Sequence, residues 1–364
     1  MRTSGLDGVV AAETVLSHVD GEAGRLILRG HELRELVRGG ATFEQAAALL
    51  WQDFAPEGGD AARILAGLGA ARLRANELAP TLLDACGPEL GPVEGLRVGL
   101  GLLADAEPMP HHLLVCGALP VFAAALLRRA EGLAPLRPDP ALGTAADFLR
   151  LLRGAPASAS EVRALDAYLV TIADHGMNAS TFAARVVAST RAGLISAALA
   201  GLCALKGPLH GGAPGPVLDM LDAIGDAARI EPWLKTEIAA GRRLMGFGHR
   251  IYRVRDPRAD VLKEVVASLR GASNRIAFAE EVERAALALL AERQPGRRLD
   301  TNVEFYTALL LEALAIPRAA FTAIFAIGRA AGWCAHILEQ ERGGRIIRPL
   351  SAYVGPEPEP RHAA

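Results

Sequence analysis

Thr42-Phe-Glu-Gln-Ala-Ala-Ala-Leu-Leu-Trp51 carries the pattern that decides the fold class. A threonine stands where a helix N-cap is wanted, and the apolar side chains after it recur at helical period. The same reading repeats outward over Ser158 to Ile172, Leu194 to Ala204, Val217 to Ile224, Asp260 to Ser268, Ala277 to Leu290, Val303 to Leu314 and Arg318 to Gln340. Aromatic residues make up only 5% of the chain, and alanine and leucine dominate, a composition that enters helices at little entropic cost. Two stretches, Thr14–Ser17 and Arg25–Leu28, separated by Asp20-Gly21, predict a small N-terminal β-hairpin. No repeat of fixed period suggests a solenoid. The fold class is all-α.

The chain has 364 residues, 51% hydrophobic and 22% charged, enough to build a large core over two domains. A net charge of −2 speaks against a general nucleic-acid binder. Of the 39 basic residues, three are lysines and 36 are arginines. Most of these arginines read as compositional bias, but some can clamp carboxylates or phosphates, where the planar fork outperforms an ammonium group. Cys86, Cys116, Cys203 and Cys334 are isolated in helix-like surroundings, with no CxxC or CxH pairing, so buried free thiols are expected rather than a disulfide framework or a zinc site. The N-terminus lacks a basic and then apolar leader. The longest apolar stretch, Leu113 to Leu127, is interrupted by Gly117 and Pro120 and reads as too short for a membrane span. A cytoplasmic protein is expected, with residues 355–364 a polar, proline-broken tail.

Two segments break the helical pattern with glycine and proline around one histidine: Gly207-Pro-Leu-His210-Gly-Gly-Ala-Pro-Gly-Pro, and Gly246-Phe-Gly-His249-Arg-Ile-Tyr-Arg253-Val-Arg255-Asp-Pro-Arg258. Glycine lets backbone approach a ligand closely, and a loop histidine is free to project into a cleft. Either histidine could equally cap a helix; two such segments in one chain favour a site. A third histidine lies in Ala173-Asp-His175-Gly-Met-Asn-Ala-Ser-Thr, with turn and cap residues at a helix junction. Thr301-Asn-Val-Glu304-Phe-Tyr306 puts a carboxylate just inside a helix start, where the macrodipole favours its ionised form and suits it to act as a base. His111 and His112 follow Pro110 as possible helix caps, and His336 reads as a core or interface residue.

Taken together, the segments resemble the citrate synthase family. The carrying motifs are GPLHGGA, GFGHRIYRxRDPR, NVEFYTALLLEAL and AIGRAAGWCAHILEQ followed by IIRP, in family order over roughly residues 165–356. Upstream, Gly24-Arg-Leu-Ile-Leu-Arg-Gly-His-Glu-Leu-Arg-Glu-Leu looks like the family's N-terminal segment. The resemblance implies a mostly helical homodimer whose large domain (residues 1–210 and 309–364) and small domain (211–308) close over the site. It implies condensation of acetyl-CoA with oxaloacetate to citrate, as in the tricarboxylic acid cycle, with CoA released and no metal or resident cofactor. On this resemblance Glu304 matches the base that takes a methyl proton, His210 the partner of the enolate oxygen, and His249 the group that polarises the oxaloacetate carbonyl. His175, Arg258 and Arg329 match the oxaloacetate-binding set, and Arg348 the arginine that reaches into the neighbouring subunit's site. Leu244, Met245, Gly246, Phe247 and Gly248 resemble the loop that reads the CoA adenine, with Arg253 and Arg298 as candidate CoA phosphate contacts.

The departures point to alternatives. Glu304 stands where most of the family has aspartate. Ile172 replaces the first histidine of HxDH, HGGANE becomes HGGAPG at Pro214 and Gly215, and RPR becomes Arg348-Pro349-Leu350. A 2-methylcitrate synthase using propionyl-CoA differs by one methylene in a pocket. A family member that binds CoA esters or a partner without catalysis is the reading from another class. No HExxH-type spacing supports a metal site built from the three histidines and Glu304.

Overall fold

Caps and periodicity work out as helices in the chain's computed structural model, which describes all residues except 1–3, 7, 88, 212–213, 250, 270–273, 294–298 and 357–364. Thr42 and Gln45 form a reciprocal capping box, and Ser158 and Glu161 form a second. The described elements are β1 (Ser17–Asp20), β2 (Arg25–Leu28), β3 (His31–Glu32), α1 (Leu33–Arg38), α2 (Phe43–Trp51), α3 (Ala61–Ala85), α4 (Pro92–Gly101) and α5 (His111–Ala130). They continue with α6 (Thr144–Arg153), α7 (Ala159–Ile172), α8 (Ala179–Ser189), α9 (Leu194–Leu205), α10 (Pro214–Ile224), α11 (Ile230–Ala239), α12 (Pro257–Ser268), α13 (Asn274–Arg293), α14 (Val303–Ala313) and α15 (Phe321–Gly343). The fold is all-α with one small sheet.

That sheet corrects the expected hairpin in two ways. Its first strand is Ser17–Asp20 rather than Thr14–Ser17, pairing antiparallel with β2 so that Ser17 lies opposite Leu28 and Asp20 opposite Arg25. The short β3 then adds a third strand through Ile27 and Leu28. Thr14 and Val15 are drawn elsewhere: the Thr14 hydroxyl and the Val15 N–H both donate to Glu339 on α15, at 3.2 and 2.9 Å.

The core is built around α5 and α15. Every residue from His112 to Arg128 is buried, so α5 is enclosed by neighbouring helices. Gly117 and Pro120 do not interrupt it, contrary to the sequence reading, because tertiary burial outweighs the single backbone donor that Pro120 removes. By length and composition alone, both α5 and the 318–343 segment could cross a membrane, but each is mostly covered by the rest of the protein. His112 caps nothing; it pairs with Glu57 and packs edge-on against Trp51, whose indole N–H donates to the Ala331 carbonyl at 2.9 Å. Cys86, Cys116 and Cys334 are buried free thiols, whereas Cys203 is exposed. Cys116 and Cys334 are isolated in sequence only: their sulfurs lie 3.9 Å apart between α5 and α15.

Candidate active site

Helix α15 delivers one wall of the site with a single buried stripe, Arg329, Trp333 and His336, spaced i, i+4, i+7. Arg329 Nε donates to the carbonyl of Ile172, the last residue of α7, at 2.7 Å. Trp333 donates its indole N–H to Ser180 Oγ at 3.1 Å. His336 Nε2 faces the Asp174 carboxylate at 3.2 Å while its Nδ1 faces Arg185 at 3.0 Å. The stripe therefore fixes the turn between α7 and α8, which carries His175. Asn178 caps α8 by accepting the Ser180 and Thr181 N–H groups, which sets Ser180 beneath His210, with Oγ and His210 Nε2 2.8 Å apart.

The second wall is the loop from Leu244 to Arg258. Gly246 sits at φ +86°, and a Cβ there would come within 2.8 Å of the Phe305 ring, so this turn requires glycine. The loop is stitched to the segment before α14: Asn302 N–H donates to the Gly246 carbonyl at 2.9 Å, Gly248 N–H to the Asp300 carbonyl at 2.8 Å, and the Asn302 amide to the Gly248 carbonyl at 2.8 Å. Those bonds place His249 and Glu304 on adjoining supports. His249 Nδ1 accepts the Ile251 and Tyr252 N–H groups, each at 3.0 Å, so the neutral ring carries its proton on Nε2. Asp256 caps α12 and grips Arg258 bidentately, at 3.1 Å from Nε and 2.9 Å from Nη2.

Between the walls, His175, Tyr252 and His249 pack ring against ring, with His175 and His249 centroids 5.8 Å apart. His175 Nε2 and the Tyr252 hydroxyl lie 3.2 Å apart. Burial, reinforced by Arg258, lowers the pKa of His249 to about 4; burial with Arg329 and Arg258 does the same for His210. His175 is driven well below the usual range by burial and the same two arginines. All three rings are neutral near pH 7. Burial raises Glu304 to about 7 against the pull of Arg258 and Arg329. Here the structure overturns the helix-dipole expectation: desolvation outweighs the α14 N-terminus and leaves the carboxyl poised between its two forms. Burial lowers Arg329 to about 10, and its Nη1 is buried with no hydrogen-bond partner among the described residues.

The structure thus brings together His175, His210, His249, Arg258, Arg329 and Glu304 from five separate segments. Leu244 and Phe247 are buried against the core while the Gly246 and Gly248 backbone faces Asp300 and Asn302; Met245 is half-buried. Arg253 is exposed, and its backbone N–H donates to the Gly21 carbonyl at 2.9 Å. Arg298 lies outside the described residues. Arg348 is exposed and apart from the cluster, on a groove of about 1000 Å³ lined also by Leu6, Val9, Arg185, Glu339 and Gln340. Sequence reading missed Tyr252, Ser180, Trp333, Asp174 and Asp256. All five stood inside segments already quoted, Asp174 and Ser180 as turn and cap residues, but only the folded chain shows which atoms they serve.

Chemically, the cluster offers neutral imidazoles, two buried guanidinium groups and one carboxyl near its midpoint, a set suited to binding a small polyanion and moving a proton on carbon. Among the described residues, no group of three or more His, Cys, Asp or Glu side chains could hold a metal. The family model described as "Citrate synthase, C-terminal domain" matches residues 5–350. Citrate synthase 2 of Bacillus subtilis is 34% identical, over 98% of this chain and 96% of that one. The 2-methylcitrate synthase of Mycobacterium tuberculosis is also 34% identical, over 97% and 90%. The solved structure of the Thermoplasma acidophilum citrate synthase, a ternary complex with carboxymethyl coenzyme A and oxaloacetate, superposes with a TM-score of 0.86 at 26% identity, covering 98% of this chain and 97% of that one.

Proposed function

Because the chain belongs to the citrate synthase family of acyltransferases, we propose that it condenses acetyl-CoA with oxaloacetate to give citrate and CoA. The observation that carries the reading is a mismatch of donors and acceptors. His249 Nε2–H and Arg258 Nη2 face one another at 3.2 Å, donor to donor, and Arg329 Nη1 is a buried donor without an acceptor among the described residues. Beside them, the Glu304 carboxyl has no hydrogen-bond donor among the described residues. A keto-dicarboxylate supplies the missing acceptors, and a carbon acid supplies the proton that Glu304 lacks.

In this reading Glu304 removes a proton from the acetyl methyl group. The negative charge moves onto the thioester oxygen, which needs a donor. Ser180 Oγ accepts the Trp333 N–H, and its hydroxyl donates to Asn178 Oδ1 at 2.8 Å, beside the two backbone N–H groups that oxygen also accepts. Turned from Asn178 to His210 Nε2, which lies equally near at 2.8 Å, that hydroxyl proton leaves the imidazole proton on Nδ1 as the donor to the enolate oxygen. The nucleophilic carbon forms its bond to the oxaloacetate carbonyl carbon as His249 gives its Nε2 proton to the carbonyl oxygen. Water then cleaves the citryl thioester and CoA leaves as the thiol. His175, Arg258 and Arg329 hold the carboxylates, and the 244–248 loop with Arg253 and Arg298 meets the CoA.

The proposal extends to a homodimer, in which residues 211–308 close as a small domain and Arg348 crosses to the other subunit's site. Exposed Ile346, Leu350, Tyr353 and Val354 flank Arg348 and support an arm that packs on a second copy. The deciding experiment is thiol release from acetyl-CoA and propionyl-CoA in the presence of oxaloacetate. An acetyl-CoA preference supports the reading. Relatives of both names share 34% identity with the chain, and a strong propionyl-CoA preference would make the reaction that of a 2-methylcitrate synthase. No release from either would leave a CoA-ester-binding protein without turnover.

A further inference from the structure

We propose that the N-terminal hairpin is a strut that sets the spacing of His175 and His249, with Ser17 and Gly21 as its positioning residues. The two histidines sit on loops more than seventy residues apart in the chain, yet both loops are tied to opposite ends of β1.

At one end, the Ser17 hydroxyl donates to Asp174 and accepts the Gly176 N–H at 3.1 Å, so a single side chain grips the residues on both sides of His175. At the other end, Asp20 Oδ1 accepts the Glu22 and Ala23 N–H groups and closes the turn, while the Gly21 carbonyl accepts the Arg253 N–H at 2.9 Å. A Cβ on Gly21 would meet the Ile251 carbonyl oxygen at 2.5 Å, and one on Gly24 (φ +63°) would meet the Val254 side chain at 2.7 Å. The turn is thus pressed against the backbone on both sides of Tyr252. Tyr252 in turn presents its N–H to His249 and its hydroxyl to His175. From Ser17 to Gly21 an extended strand spans about 13 Å, a fixed length between the two attachment points.

The strut is also anchored from behind. Thr14 and Val15 donate to Glu339, Glu339 pairs with Arg185 at 2.5 Å, Arg185 faces His336, and His336 faces Asp174, the acceptor of the Ser17 hydroxyl. This closed circuit holds β1 against sliding along its own axis. The exposed Glu22 and Ala23 take no part beyond their backbone N–H groups.

The kinetic consequence rests on the condensation reading; the spectroscopic one does not. In Gly21→Ala, the new methyl must displace the Ile251 carbonyl or the turn. The His175 and His249 ring signals should therefore shift in NMR spectra of histidine-labelled protein. The KM for oxaloacetate should rise about tenfold and kcat fall about tenfold, with the KM for the acyl-CoA within twofold, since displacements near 1 Å cost up to about a hundredfold. Ser17→Ala should act in the same direction more weakly, Ser17→Thr should restore the wild-type values by keeping the hydroxyl, and Glu22→Ala in the same turn should change nothing. Should Gly21→Ala fail to fold, the Ser17 pair carries the test. Wild-type histidine signals in folded Gly21→Ala or Ser17→Ala would overturn the proposal. So would a loss shared equally by both substrates' KM values, or failure of Ser17→Thr to rescue. Should the wild-type chain release no thiol, the condensation reading fails, and the histidine signals alone decide for or against the strut.

Discussion

Asp256, fully buried, and Glu304, half-buried, are carboxylates at the starts of neighbouring helices, α12 and α14, and both feel the charge of Arg258. Their fates are opposite. Burial pushes both upward, but Asp256 accepts the Arg258 guanidinium twice, the Arg258 N–H at 3.0 Å and the Val303 N–H at 3.2 Å, and is held below the usual carboxylate range. Glu304 accepts no hydrogen bond from a described residue, and burial takes it to about 7. A helix N-terminus and a nearby arginine do not by themselves decide whether a carboxyl is an ion holder or a base; the count of donors aimed at its oxygens does.

The sharpest way to break the comparison is Glu304→Gln, which keeps the shape and removes the base. Thiol release should fall about 10²- to 10⁴-fold, with an unchanged circular dichroism spectrum and a melting temperature no lower than wild type. Near-normal turnover would remove Glu304 from its proposed role. Asp256→Asn should instead act on stability. It leaves the Arg258 guanidinium buried without its counter-charge, a loss of about 3–5 kcal/mol that urea unfolding would measure. If Asp256→Asn were as stable as wild type, Asp256 would not be the ion holder the geometry makes it. Third in size is Glu304→Asp, which draws the carboxyl back by one methylene. The rate should fall by up to about a hundredfold while the fold is kept. An equal or higher rate would show that the surrounding site is not fitted to the longer side chain.

The two carboxylates also mark how far the sequence could be read. Helix caps such as Thr42 and Ser158 were legible because their chemistry is local, and so was the all-α class. The three site histidines and Glu304 stood out by motif. What was not legible depends on distant chain. Thr14 and Val15 satisfy Glu339 more than 320 residues away instead of extending β1, so the strand starts three residues late. Ser180 looks like an ordinary first-turn residue until His210 and Trp333 arrive from other segments. Glu304 carries a helix-start signature in sequence, and only the packed site reveals that desolvation overrides it. Cys203 reads as buried by its apolar neighbours, yet it lies on the outward face of α9. Arg348, named by motif, stands apart from the cluster within one chain, which is why its role stays tied to the dimer proposal.

The smallest expected effect sharpens the comparison most, because it reads the two carboxylates against each other in solution. A base must be ionised to accept a proton, so kcat/KM should be level above about pH 7 and fall tenfold per unit as pH drops below it. Asp256 contributes to that midpoint by repelling the Glu304 charge. Asp256→Asn removes the repulsion and leaves Arg258 free to favour the ionised form. Its midpoint should therefore move to lower pH, so that the variant retains a larger fraction of its own maximal rate at pH 6 than wild type does. The sign is the discriminating feature. A loss of packing alone would lower the rate at every pH without moving the midpoint, and an upward shift would mean that Arg258 had turned away from Glu304.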